Sequence, residues 1–341
     1  MKYSLPAFGF VVLLFTGLFA LGAGPLPEFT YQGVALHPKD LTWIPTGELE
    51  HPSLIKVEGR VKNPLGKYYF YYSPHKHYGT GLAYSDSIEG PWKEYEGNPV
   101  IEGPAAPDIR WIEEKGKFYM WGHRANKRTE LWTSEDGLHF EHEGVSVEAK
   151  HIGTKNATYT RMYEYPIEKY NSKYIMLYSG LLEKSGARCA WLAYSKDAKN
   201  WTQLETPLIE PSEGDKDAIY GAALFQWQKR NFIVYQDQTA WRGGNVKYVE
   251  VDHNLSPIGK EGKRFVLLDP PAELNERYRS AEFYREGNTI YMLSGAGSNP
   301  RITVYATATL GATPPKDKEG VVPAKSGTSD EIHKDTLLPA D

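Results

Sequence analysis

One phrase recurs along the chain and constrains what it can fold into. A strand, a polar turn and an aromatic residue that opens another strand occur at 83–92, again at 132–140 and again at 193–201. Ahead of each stands a pair of aromatic and β-branched runs, 54–57 with 67–72, 108–112 with 117–121, and 162–167 with 173–178. Two further pairs follow, 222–227 with 231–235 and 280–284 with 288–293. Such runs, separated by turn residues, read as antiparallel strands. A two-sheet sandwich would not repeat the same phrase in order. Four strands per unit and five units predict an all-β chain, a five-bladed β-propeller of four-stranded antiparallel blades. The last unit lacks the outer phrase, so 29–43 is expected to supply a strand that closes the ring. The 24 Tyr, 9 Trp, 32 Gly and 23 Pro suit short strands and tight turns and exclude a helical bundle.

The segment 1–24 carries a single charge, Lys2, then an apolar run and the small-residue end Ala20-Leu21-Gly22-Ala23-Gly24. That pattern predicts a cleaved signal peptide, hence a secreted or periplasmic protein with no stable membrane association once the leader is gone. The propeller, read as a catalytic domain, is assigned to 25–310, and the Pro-, Lys- and Ser-rich stretch 311–341 reads as a tail. A formal net charge of −4, with no block of Lys or Arg, excludes a nucleic-acid partner. Cys189 is the one cysteine, which excludes an internal disulfide and a cysteine-built zinc site.

The innermost strands of a propeller run the same way, so the residues that open them gather at one mouth of the central channel. Those openings read His51-Pro52-Ser53, Ala106-Pro107-Asp108, Tyr163-Glu164-Tyr165-Pro166, Asp217-Ala218-Ile219-Tyr220 and Arg279-Ser280-Ala281-Glu282. Carboxylates directed into a narrow channel need a reason.

Within this frame the chain from about His51 resembles the five-bladed propellers of glycoside hydrolase family 43 and its invertase-type relatives. Ala106-Pro107-Asp108 is similar to the family phrase whose Asp tunes the catalytic acid, and Glu164-Tyr165-Pro166 to the phrase that supplies the acid itself. The resemblance therefore implies a glycosidase acting on a plant or algal oligo- or polysaccharide, with Glu164 as general acid and Asp108 as its tuner. One departure stands out: where the family has Asp-Pro with the general base, this chain has His51-Pro52. Glu282, Asp217 and Asp108 remain open for the base, Glu282 being favoured, and the adjacent Glu50 is set aside because side chains alternate along a strand.

An imidazole at His51 can bind a hydroxyl or an acidic group, or accept a proton. His75, His77 and His123 are further candidates for the mouth, and Arg161 and Arg279 suit an anionic sugar such as a uronate or sulfate. Tyr220 and Trp241 are the aromatics assigned to stacking on sugar. No cofactor is required and no metal site is specified, although relatives of this type admit an axial calcium ion. Two rivals remain open beside the hydrolase: a propeller that binds carbohydrate without cleaving it, and a polysaccharide lyase in which His and Tyr move the proton beside a uronate.

Overall fold

In a computed structural model the described residues are 26–44, 46–75, 79–212, 218–237, 244–258, 264–268, 271–274, 278–297 and 300–309. The leader, the tail, His77, Asp217 and Trp241 lie outside them. Strand β1 (Thr30–Leu36) is followed by a first blade of β2 (Leu49–Lys56), β3 (Tyr68–Pro74), β4 (Gly81–Ser85) and β5 (Lys93–Glu94). The second blade is β6 (Ala105–Ile112), β7 (Lys117–Arg124), β8 (Arg128–Ser134) and β9 (Glu141–Glu148). The third is β10 (Thr158–Ile167), β11 (Ser172–Leu181), β12 (Arg188–Ser195) and β13 (Thr202–Gln203). The fourth is β14 (Ile219–Trp227), β15 (Arg230–Asp237), β16 (Val246–Val251) and β17 (Arg264–Leu268). The fifth joins β18 (Tyr278–Glu286), β19 (Thr289–Ala296) and β20 (Ile302–Thr309) to β1, in the order β1-β20-β19-β18. The chain is thus a five-bladed propeller whose ring is closed by its first strand, as the missing outer phrase predicts.

Local chemistry sets the turns. The hairpins β6–β7 and β10–β11 use the same device, a 3-10 turn (Glu113–Lys115, Glu168–Tyr170) ending on a left-handed residue, Gly116 at φ 59° and Asn171 at φ 48°. Glycine and asparagine are the residues that enter that region most readily. In the outer phrases Asp136 Oδ1 accepts the amides of Leu138 (2.8 Å) and His139 (2.9 Å), and Asp197 Oδ1 those of Lys199 (2.9 Å) and Asn200 (2.8 Å). An aspartate that satisfies its own turn accounts for the second and third copies of the phrase, whereas in the first Asp86 Oδ1 accepts the Lys67 amide at 3.2 Å.

The core is divided among the gaps between blades. The run 68–72 shows the rule: Tyr68, Phe70 and Tyr72 pack toward the fifth blade with Leu293, whereas Tyr69 and Tyr71 pack toward the second with Ile109, Phe118 and Met120. A strand buried on both faces needs large side chains at every position, and period two sends them to alternate wedges.

Candidate functional site

The inner strands share one irregularity. Their register with the second strand slips between Glu50 and Ser53, Ala105 and Asp108, Thr158 and Arg161, Tyr220 and Ala223, and Arg279 and Glu282. Within each slip one residue is left-handed: His51 (φ 52°), Ala106 (55°), Tyr159 (57°), Gly221 (58°) and Ser280 (46°). This is a β-bulge repeated once per blade, and it re-aims the residues on either side of it. It also aligns the blades without reference to sequence motifs. His51, Ala106, Tyr159, Gly221 and Ser280 are equivalent, and so are Ser53, Asp108, Arg161, Ala223 and Glu282.

All of that second set but Ala223 form a belt below the mouth. Asp108 is fully buried; its Oδ2 accepts the Met162 amide of the next blade (2.7 Å), while Oδ1 meets Arg110 Nη2 (2.6 Å) and Arg161 Nη1 (3.5 Å). Glu282 is also buried, and its Oε2 accepts the Leu54 amide (3.0 Å) while Oε1 takes Arg110 Nη1 (2.8 Å) and the Ser53 hydroxyl (3.3 Å). Ser53 Oγ in turn accepts the Ile109 amide (3.0 Å). Arg161 completes the belt through the carbonyls of Pro52 (2.9 Å) and Pro107 (3.2 Å). Each of these side chains ties the inner strand of one blade to that of the next. Burial raises the Asp108 pKa, and the two arginines oppose the rise.

Glu164 joins neither the belt nor the mouth, which corrects the alignment on Glu164-Tyr165-Pro166. Its side chain is 63% exposed and meets Lys173 Nζ at 3.5 Å. The third blade turns through its bulge at Tyr159, so Arg161 occupies the place expected of the carboxylate. The tripeptide lies further along β10, on the approach to the hairpin. Register with the second strand would have found this, because Arg161 faces Leu177 as Asp108 faces Trp121 and Glu282 faces Leu293.

The mouth holds a different set. His51 stacks on Tyr159 with ring centroids 4.4 Å apart, Tyr159 packs on Tyr220 at 4.4 Å, and His123 meets the Tyr159 ring edge-on at 5.3 Å. The Tyr220 hydroxyl is hydrogen-bonded to that of Tyr159. The Arg188 guanidinium lies 4.8 Å from the Tyr220 ring centre and 5.7 Å from that of Tyr159. Glu50 reaches the mouth despite the alternation rule, because the bulge at His51 breaks it; its carboxylate is 3.4 Å from His51 Nε2, 3.9 Å from Arg279 and in an ion pair with Arg301. His75 is set back on Glu48, which also faces Arg301 at 3.6 Å.

Electrostatics keep this cluster's imidazoles neutral. Burial, with Arg161, Arg279 and His75 nearby, holds the His51 pKa well below its ordinary value, and burial beside His51 and Arg188 lowers that of His123 to about 3. Burial pushes the Tyr220 hydroxyl well up. Several buried polar atoms here have no hydrogen-bond partner among the described residues: His51 Nε2, His123 Nδ1, Arg279 Nε, Ser280 Oγ and both amide atoms of Gln236. Unsatisfied buried groups are few in folded proteins, and a concentration of them marks a place where something polar binds. No group of three or more His, Cys, Asp or Glu side chains converges as a cation site among the described residues. Tyr159, Arg188, Gln236 and Arg301 escaped the sequence reading, since none sits in a phrase that marks the mouth.

A thermostable family-43 glycoside hydrolase is 20% identical, the match covering 64% of this chain and 73% of that one with a TM-score of 0.52. Another glycoside hydrolase is 15% identical over 86% of this chain and 96% of that one, with a TM-score of 0.58. The β-1,2-mannobiose phosphorylase of Listeria innocua, in complex with β-1,2-mannobiose, is 17% identical over 68% and 67%, with a TM-score of 0.53. The shared property is the propeller. No protein-family model matches the chain, and no curated protein matches it. At these identities the likeness establishes the fold, and chemistry has to be argued from the site.

Proposed function

We propose that the protein is an exported enzyme that cleaves glycosidic bonds of a saccharide at the channel mouth, with His51 as proton acceptor and the Tyr159–Tyr220 hydroxyl pair as proton donor. The observation that carries this reading is the neutral imidazole stacked on a tyrosine whose hydroxyl is bonded to a second tyrosine. The solved neighbours named above, two hydrolases and a phosphorylase, act on sugars, which supports the substrate class. In hydrolysis, water adds to the anomeric carbon as the glycosidic C–O bond breaks. The water proton passes to His51 Nε2, and the leaving oxygen takes a proton from the tyrosine pair. Solvent then carries the proton from imidazolium to phenolate and restores both groups. Glu50 acts as a positioning residue that stabilises the imidazolium. The two-carboxylate scheme fits less well, because the oxygens of Asp108 and Glu282 are already engaged in the belt and Glu164 faces solvent.

A second reading draws on Arg188 and Arg279 beside the same histidine and tyrosines: proton removal next to a uronate carboxylate, with the leaving oxygen protonated by tyrosine. Elimination gives an unsaturated product that absorbs in the ultraviolet, and hydrolysis does not.

The test is an assay of the chain without residues 1–24 on arabinose, xylose, galactose and uronate oligosaccharides, following reducing ends and ultraviolet absorbance together. His51→Asn is the informative variant, because asparagine tolerates the left-handed backbone at this position. We expect turnover to fall by about 100-fold or more in His51→Asn and in Tyr159→Phe, the range for loss of a proton-transfer group, and to be unchanged in Glu164→Gln. Full activity in His51→Asn would refute the assignment, and binding without turnover would make the protein a carbohydrate-binding propeller.

A further inference from the structure

We propose, resting on the reading of the mouth as the substrate site, that the saccharide is acidic, and that its carboxylate or sulfate is bound by Arg279 together with Arg188. Arg279 is 5% exposed, and its Nε has no hydrogen-bond partner. Its carboxylate contact is Glu50 Oε1 at 3.9 Å, an oxygen that Arg301 already holds in a closer ion pair. A guanidinium taken out of water without a bonded anion is among the costlier groups a protein can bury. An anion arriving from outside supplies what Glu50 does not, and guanidinium geometry matches a planar oxyanion through two parallel bonds.

Arg188 brings a second positive charge to the same place. It lies over the Tyr220 ring, and Tyr220 precedes Gly221, whose backbone packs on Ser280, the neighbour of Arg279. Both arginines act on the Tyr220 hydroxyl, each opposing the rise in its pKa. The histidines at this point are neutral and add no charge of their own. Ser280 Oγ and the Gln236 side-chain oxygen both border Gly221, the neighbour of Tyr220, and are buried without hydrogen-bond partners among the described residues. A hydroxyl and an amide next to a cationic pair suit the hydroxyls and the acidic substituent of one sugar ring. A neutral sugar would satisfy the hydroxyl and the amide and leave Arg279 as it is. Glu48 and Glu50 set the limit of the anion site, since they occupy Arg301 and His75 on the first-blade side.

Titration calorimetry on the chain without residues 1–24 tests this, with galacturonate oligosaccharides against their carboxyl-reduced counterparts and sulfated galactan oligosaccharides against desulfated ones. We expect one acidic series to bind at least ten-fold more tightly than its neutral counterpart, with the advantage shrinking as salt rises. The series that wins identifies carboxylate or sulfate. Arg279→Gln should abolish the preference and Arg279→Lys retain part of it, in protein whose melting temperature shows it folded. Equal or tighter binding of both neutral series, absence of binding by both acidic series, or an acidic preference that survives Arg279→Gln would overturn the proposal. Cleavage confined to neutral oligosaccharides would sink it while leaving the catalytic reading intact. Tight acidic binding without cleavage would do the reverse.

Discussion

Asp108 is buried away from bulk solvent, and three partners from two blades compensate its charge: Arg110, Arg161 and the Met162 amide. Removing one member of such a buried set leaves the others uncompensated, at a cost of about 3–5 kcal/mol. Asp108→Ala should lose that much in urea unfolding, and Asp108→Asn, which keeps an acceptor for Met162, distinctly less. A tuner of a catalytic acid would behave differently, with Asn cutting turnover and barely moving stability. The sequence marks Asp108 as a residue that needs a reason, and correctly so, because a channel-facing carboxylate is expensive wherever it stands. Which reason applies depends on Arg110, two residues further along the same strand, and on an amide 54 residues away in the next blade, partners that carry no motif. His51 was legible for the opposite cause, as a departure at a place where the resemblance specifies aspartate.

At the scale of the strand, the repeated bulge decides which residues reach the mouth. Aromatic alternation made the strands and their pairing readable, because period two is imposed by the backbone itself. A bulge adds one residue and reverses the facing of everything beyond it, so Glu50 and His51 both arrive where simple alternation allowed one. In the third blade the same step moved the channel position to Tyr159 and Arg161, away from Glu164. The left-handed residue in each bulge makes the geometry testable. Gly221 enters it freely, and a Cβ there would lie 2.5 Å from Ser280 Cα on the neighbouring blade. Gly221→Ala should therefore destabilise by about 2 kcal/mol or more, combining left-handed strain of roughly 1–2 kcal/mol with the clash. Ala106 already bears that strain at φ 55°, so Ala106→Gly should be neutral to stabilising by up to about 1 kcal/mol, backbone entropy offsetting part of the relief. Denaturant unfolding of the pair checks both signs, and equal losses would mean that the bulge is not a strained element.

For the whole molecule, a ring of blades closed through one buried channel ties stability to the protonation of that channel. An unfolded histidine takes up its proton near pH 6.5, whereas His123 in the folded protein does so only near 3. Between these values the unfolded chain binds the extra proton, so stability falls as pH drops through the window, by about 1.4 kcal/mol per pH unit once the unfolded histidine is largely charged. His51, also lowered, adds loss of the same sign. Asp108 works in the opposite sense at the acid end, since its raised pKa lets the folded form take up a proton before the unfolded one. The folded protein should thus melt at a lower temperature at pH 5 than at pH 7, and His123→Gln should flatten that slope by close to one proton. The two histidines reach this state only because the inner strand of the first blade and the second strand of the second blade deliver them against Tyr159 of the third, so the slope reports on the assembled mouth. Thermal melts of wild type and His123→Gln from pH 5 to 7.5 would show it, and identical slopes would mean that His123 takes up its proton in the folded mouth as readily as in the unfolded chain.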